Sequence, residues 1–204
     1  MSEFLTFLQL GFRHIVDASA LDHMLFLLAL AAIYRFGDRR DLRDALWTIS
    51  AFTVGHSVTL ALAVTHVLTL PAALVEFLIP VTIVATGVEN LLVSDRTRAP
   101  LGGRYRPLFA GGFGLVHGAG FATYLRALFV ERIAVPLFGF NVGIELGQIV
   151  VLVAAGVLLA GADRAITALH PPGARWPALR VRVVAVSLAV AAVGSVWAVE
   201  RRPW

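Results

Sequence analysis

The chain has 204 residues, 58% hydrophobic and 15% charged, with a mean hydropathy of +0.81; a soluble domain of this length carries more charge, so a single integral membrane domain over residues 1–204 is expected. Cysteine is absent, which excludes disulfides and thiolate metal sites, and two Met are too few for a thioether site suited to copper(I). All 17 basic residues are Arg, for a net charge of +4, and no basic–aromatic patch accompanies them, so no nucleic-acid partner is expected.

In chain order, the stretch 3–16 is helical in pattern but ends in Arg13, His14 and Asp17, too polar to count as a span. Glu3 stands where a signal peptide would be basic, so no cleavable leader is expected. Apolar runs near the ~20-residue spanning length fall at 19–36, 45–66, 72–93, 107–129, 135–160 and 180–199. A straight helix over 3–36 would be ~50 Å long against a hydrocarbon core of ~30 Å, which predicts a break around Asp17–Ala20. The expected fold is an all-α polytopic membrane helix bundle, with about six transmembrane helices plus a short N-terminal interfacial or re-entrant helix.

Arginines orient this bundle. Arg35, Arg39, Arg40 and Arg43 follow the first span, Arg96, Arg98, Arg104 and Arg106 the third, and Arg164, Arg175, Arg180 and Arg182 the fifth. Alternate connections lie on one side, which the positive-inside rule makes cytoplasmic; both termini then face outward in a bacterial inner membrane. Arg201 and Arg202 oppose this orientation weakly. The connections around His66–Pro71 and Glu131–Pro136 are short.

Polar side chains recur within the spans: Asp22 and His23; His56, Ser57 and Thr59; Glu76, Thr82, Glu89 and Asn90; His117; Asn141, Glu145 and Gln148. An intramembrane carboxylate costs roughly 2.5–3.5 kcal/mol to insert, and no Arg lies mid-span to pair with one. The acids are therefore expected to be protonated or neutralised by a cation. Imidazoles beside carboxylates form a nitrogen–oxygen ligand set suited to nickel, cobalt, zinc or iron. His56 lies ten residues before His66 and Glu145 ten after Val135, each ~15 Å inside its helix; His117 is ~18 Å from Phe129. With Asp22 and His23 opening their span from outside, these candidates share the outer half or the midplane. Glu76 is shallower. Glu89 and Asn90 are deeper and suit a second station.

Asn141, Glu145 and Gln148 form one helix stripe; Gly139, Gly143 and Gly147 form another, as do Gly114 and Gly118. Small residues at this spacing permit close helix contact and by themselves indicate packing only. Asp17 suits a helix cap, His66 and His170 fall in loops where solvent satisfies them, and Ser57 and Thr59 can bond their own helix backbone.

The stretches "GFRHIVDASALDHMLFLL", "FTVGHSVTLALA", "VEFLIPVTIVATGVENL", "FGLVHGAGFA" and "FNVGIELGQ", in this order, resemble the HupE/UreJ family of small membrane proteins. The resemblance covers most of the chain up to about residue 150 and implies a nickel or cobalt permease. The family's opening His and Asp-His motif maps onto His14, Asp22 and His23. Where a Gly is expected shortly before the Asp-His pair, this chain has Ser19-Ala20-Leu21.

Two functions follow as expectations. The first is a divalent transition-metal permease with metal ligands drawn from His14, Asp22, His23, His56, His117 and Glu145. Ser57, Glu76, Glu89, Asn90, Asn141 and Gln148 would support those ligands or line the pathway. The alternative is an intramembrane hydrolase of lipid or peptide using a His-coordinated zinc, with Ser57 polarising a carbonyl. The metal ion and membrane lipid are the expected partners, and a second copy of the chain is a further candidate.

Overall fold

The computed structural model describes residues 2–17, 21–93, 105–128, 133–169 and 176–204. Among them the chain is all-α: α1 Glu3–Val16, α2 Leu21–Ala31, α3 Arg39–Val64, α4 Ala72–Leu92, α5 Tyr105–Leu128, α6 Ala134–Leu169 and α7 Ala178–Glu200. Residues 18–20 and Arg96, Arg98, Arg104, Glu131, His170 and Arg175, used in the sequence reading, lie outside the described residues.

Among the described residues four helices are long and apolar enough to cross a membrane: α3, α4, α6 and α7. The α1–α2 pair, bent by 68°, makes a fifth if it is one broken span. The expected count was about six. The 107–129 run forms α5, but its polar residues and glycines dilute its hydropathy, and it is not in that set. α6 continues to Leu169, nine residues past the expected span, because no Pro follows residue 160 until Pro171.

Local chemistry sets several of these boundaries. Ser2 caps α1 by accepting from the Leu5 amide, and Asp38 caps α3 by accepting from the Arg40 amide at 2.7 Å. The exposed His66 ends α3 in the left-handed conformation, φ 62°, as a capping residue rather than a ligand.

The helices associate mainly in three pairs: α3 with α5, α1 with α6, and α4 with α7. Backbone-to-backbone approach makes the first two. A Cβ on Gly55 would collide with the Gly111 carbonyl, and one on Gly118 with the backbone of His56. A Cβ on Gly11 would strike the Phe140 carbonyl, and one on Gly143 the Leu8 carbonyl. In lipid, where burial of apolar surface drives little helix association, such contacts gain dispersion energy that a larger residue would forfeit. α1, expected at the interface or dipping back, lies in the bundle along α6.

α2 touches α1, α3, α4, α6 and α7. It is 11 residues long, ~16 Å, about half a bilayer core. The expected span to residue 36 ends at Ala31, and the non-helical segment 32–34 is buried. Backbone away from a helix is tolerated at membrane depth only where protein satisfies it. Arg182 does so, donating to the carbonyls of Ala32 at 3.1 Å and Tyr34 at 2.9 Å while pairing with Asp163 at 3.0 Å. Read from sequence as a loop charge, Arg182 is 2% exposed.

Candidate metal centre

His14, His23 and His56 enter one space from α1, α2 and α3. Each contributes a ligand nitrogen, and these atoms all lie within 4.8 Å of one another. Ring centroids are 4.8 Å apart for His14 and His23, 6.4 Å for His14 and His56, and 6.1 Å for His23 and His56. His117 of α5 stands beside them, its ring 5.1 Å from that of His23. The glycine contacts explain the convergence: Gly114 and Gly118 bring α5 onto the backbone at His56, and Gly143 and Gly147 bring α6 against α1 on either side of His14, at Leu8, Phe12 and Ile15.

Aromatic rings enclose the cluster. Phe121 lies 4.0 Å from the His14 ring and stacks on Phe140 at 5.3 Å; Phe26 and Phe52 each lie 5.1 Å from His117. His56 is fully buried, yet neither of its ring nitrogens has a hydrogen-bond partner among the described residues. The same holds for His14 Nε2, His23 Nε2 and His117 Nδ1. Unpaired buried nitrogens are costly in a protein interior. A set of them facing one another is the donor arrangement that a transition-metal ion satisfies.

The remaining candidates have protein partners or lie to one side. His117 Nε2 meets Thr82 Oγ1 at 3.0 Å, so Thr82 fixes one ring edge, while Nδ1 is buried without a partner among the described residues; His117 stands outside the trio whose nitrogens lie within 4.8 Å of one another. Glu145 accepts from Ser50 Oγ at 2.5 Å, and Gln148 Oε1 from Thr53 Oγ1 at 2.8 Å. Ser50 lies six residues before His56, ~9 Å of helix, so the structure directs Glu145 to a neighbouring polar patch rather than into the histidine group. Asn141 Oδ1 is buried without a partner among the described residues. Ser57 donates to the Thr53 carbonyl at 2.7 Å.

No Arg lies mid-span, as the sequence shows, but arginines at helix ends reach two of the intramembrane acids. Asp22 Oδ2 pairs with Arg201 at 3.0 Å. Glu89 is bound by both Tyr105 and Arg106, and Arg106 also donates to Asn90 Oδ1 at 3.0 Å. Asn90 in turn donates to the Ala29 carbonyl at 2.8 Å, closing the end of α2. Both arginines sit at helix ends in the sequence, and their long side chains reach back into the bundle. The reciprocal signal, an acid near the end of one helix and an Arg at the end of another, was present but not pairable from one sequence.

A cavity of about 450 Å³ leads to the histidines, lined by His14, Asp22, His23, His117, Phe121 and Arg201, with the exposed Glu76 at its margin. It lies where α2 and α4 begin and α7 ends. At the other end of the bundle the end of α4 meets the starts of α5 and α7, where Arg180 donates to the Leu91 carbonyl at 2.7 Å.

A family model described as HupE / UreJ protein matches residues 1–201. No curated protein and no solved structure matches the chain.

Proposed function

The chain belongs to the HupE/UreJ family, and on that premise we propose that it is a divalent transition-metal permease of the nickel or cobalt type, with the metal ion as its cargo. The observation that carries this reading is the convergence of His14, His23 and His56, one nitrogen from each lying within 4.8 Å of the others, and each ring has at least one buried nitrogen with no hydrogen-bond partner among the described residues. Nitrogens on one ion, each bonded at ~2.0–2.1 Å, lie about 3–3.5 Å apart, so small side-chain rotations close the group around an ion. Neutral imidazole with no thiolate suits nickel, cobalt or zinc. His117, held by Thr82, lines the same cavity beside this trio.

The cavity beside Glu76 gives the ion its way in from the side where α2 and α4 start. The opposite end carries the arginine connections and is the cytoplasmic side. α5 completes six crossings, with its start beside the end of α4, and both termini face outward from a bacterial inner membrane. Glu89, bound by Arg106 and Tyr105, closes the inner side, and cargo leaves when that cluster opens. A zinc hydrolase would draw on the same three histidines; the Ser57 hydroxyl, which would polarise a carbonyl there, donates to the Thr53 carbonyl of its own helix, and the family membership favours transport.

Uptake of Ni²⁺ into sealed proteoliposomes under an imposed gradient tests the proposal. Wild-type protein accumulates the ion and His56→Ala does not. Wild-type protein that binds Ni²⁺ but moves none across the sealed membrane overturns it.

A further inference from the structure

Arg201 follows α7 and turns back over the cavity. Its guanidinium lies 5.3 Å above the Trp197 ring and bonds Asp22 Oδ2 at 3.0 Å. Beyond it Trp204 packs on Phe77, ring centroids 5.3 Å apart, next to Glu76. Asp22 precedes the ligand His23, and its second oxygen is buried without a partner among the described residues. His23 is 7% exposed and His117 1% exposed; both line the same cavity, each with a nitrogen lacking a partner among the described residues. The lining thus holds two carboxylates, one guanidinium and three imidazoles, a balance suited to a cation once the histidines are neutral.

We propose that Arg201 is a built-in competitor for the cargo: its guanidinium holds Asp22 until a divalent ion reaches the histidines, and the ion displaces it. The proposal rests on the permease reading and adds a residue that sets the affinity and selectivity of that site. A lone carboxylate at this depth is costly, so Arg201 stabilises Asp22 in the metal-free protein. The side chains of the pair are 32% and 25% exposed, and a pair this open is worth only a factor of roughly two to five in an equilibrium. A divalent ion gains imidazole ligation and the Asp22 charge together, so it overcomes the pair. Sodium or potassium has one charge and little affinity for imidazole, so it does not. Arg201 thereby raises the threshold for release of Asp22 and favours ions that prefer nitrogen ligands.

Calorimetric titration of the purified full chain with NiCl₂ tests this. Arg201→Gln is expected to bind Ni²⁺ roughly two- to fivefold more tightly than wild type, Arg201→Lys near wild type, and Asp22→Asn more weakly. Asp22→Asn is further expected to cost more in the Arg201→Gln background than alone, since Asp22 is then free of its competitor. Thermal unfolding of each variant verifies folding. If Arg201→Gln weakens binding as Asp22→Asn does, Arg201 only props Asp22 in place and the competitor role is overturned; unchanged affinity overturns it too. His56→Ala reports separately on the permease reading. Loss of Ni²⁺ binding there with no effect of Arg201→Gln removes the competitor alone, whereas retained binding removes the shared histidine site.

Discussion

Gly118→Ala tests whether backbone contact between α3 and α5 builds the metal centre. A Cβ at 118 would meet the His56 carbonyl oxygen, with His56 C at 2.9 Å and Cα at 3.0 Å. Ordinary carbon contacts are ~3.5 Å, so the carbon pair alone demands a retreat of roughly 0.6 Å, and the oxygen demands more. The obstacle is backbone, which cannot rotate aside. α5 must therefore move off α3 at the residue pair that carries His56 and His117. Overpacking of this kind costs about 1–3 kcal/mol. Functional constellations tolerate only ~0.5 Å of displacement, so Ni²⁺ affinity should fall by about tenfold or more. Gly112→Ala is the control: on the same helix, no atom of the described residues lies within 4 Å of its Cβ. It should bind Ni²⁺ like wild type and gain ~0.5–1 kcal/mol from helix propensity. Calorimetric titration and thermal unfolding in detergent read both quantities. A Gly118→Ala protein with the affinity and stability of Gly112→Ala would refute the close-packing account of the site.

Protons compete with the metal for each imidazole, so Ni²⁺ affinity should fall as pH drops and binding should release protons; titration in buffers of different ionisation enthalpy measures both, and pH-independent affinity would count against histidine ligation. Glu89→Gln leaves Arg106, whose side chain is 4% exposed, without its carboxylate, so the melting temperature and the rate of Ni²⁺ uptake should drop while equilibrium Ni²⁺ binding persists; loss of binding would place Glu89 in the cargo site. The chain has no native Cys, so single cysteines at Thr97 and His66 report topology: reagent from the periplasmic side should label position 66 and not 97, and the reverse pattern would invert the orientation.

The apolar runs of α3, α4, α6 and α7, the break between α1 and α2 and the polar residues on α2 to α6 were legible because they are local: composition, period and length suffice. His23, His56 and His117 stood out because each costs energy in an apolar segment, whereas His14 was reached only through the family motif. Pairings between distant helices were not. Nothing near Asp22 signals Arg201, 179 residues away, and nothing near Glu89 shows that Arg106 turns inward instead of facing the cytoplasm. Glu145 shared its depth with His56, but depth leaves the angle around the helix undetermined, and the carboxylate meets Ser50 instead. Arg182 misled for a different reason. A cation among arginines reads as a loop charge until the end of α2 is seen to expose buried carbonyls. The glycine stripes predicted close packing without naming a partner, and the partner backbone at Gly118 is that of His56, the residue at the centre of the site.

The most direct test of the central claim is X-ray absorption spectroscopy of the Ni²⁺-loaded full chain. About three imidazole nitrogens at roughly 2 Å are expected, with the outer-ring scattering that marks histidine, and His56→Ala should lose one such ligand or the bound metal. A wild-type spectrum of oxygen ligands with no imidazole would contradict the account.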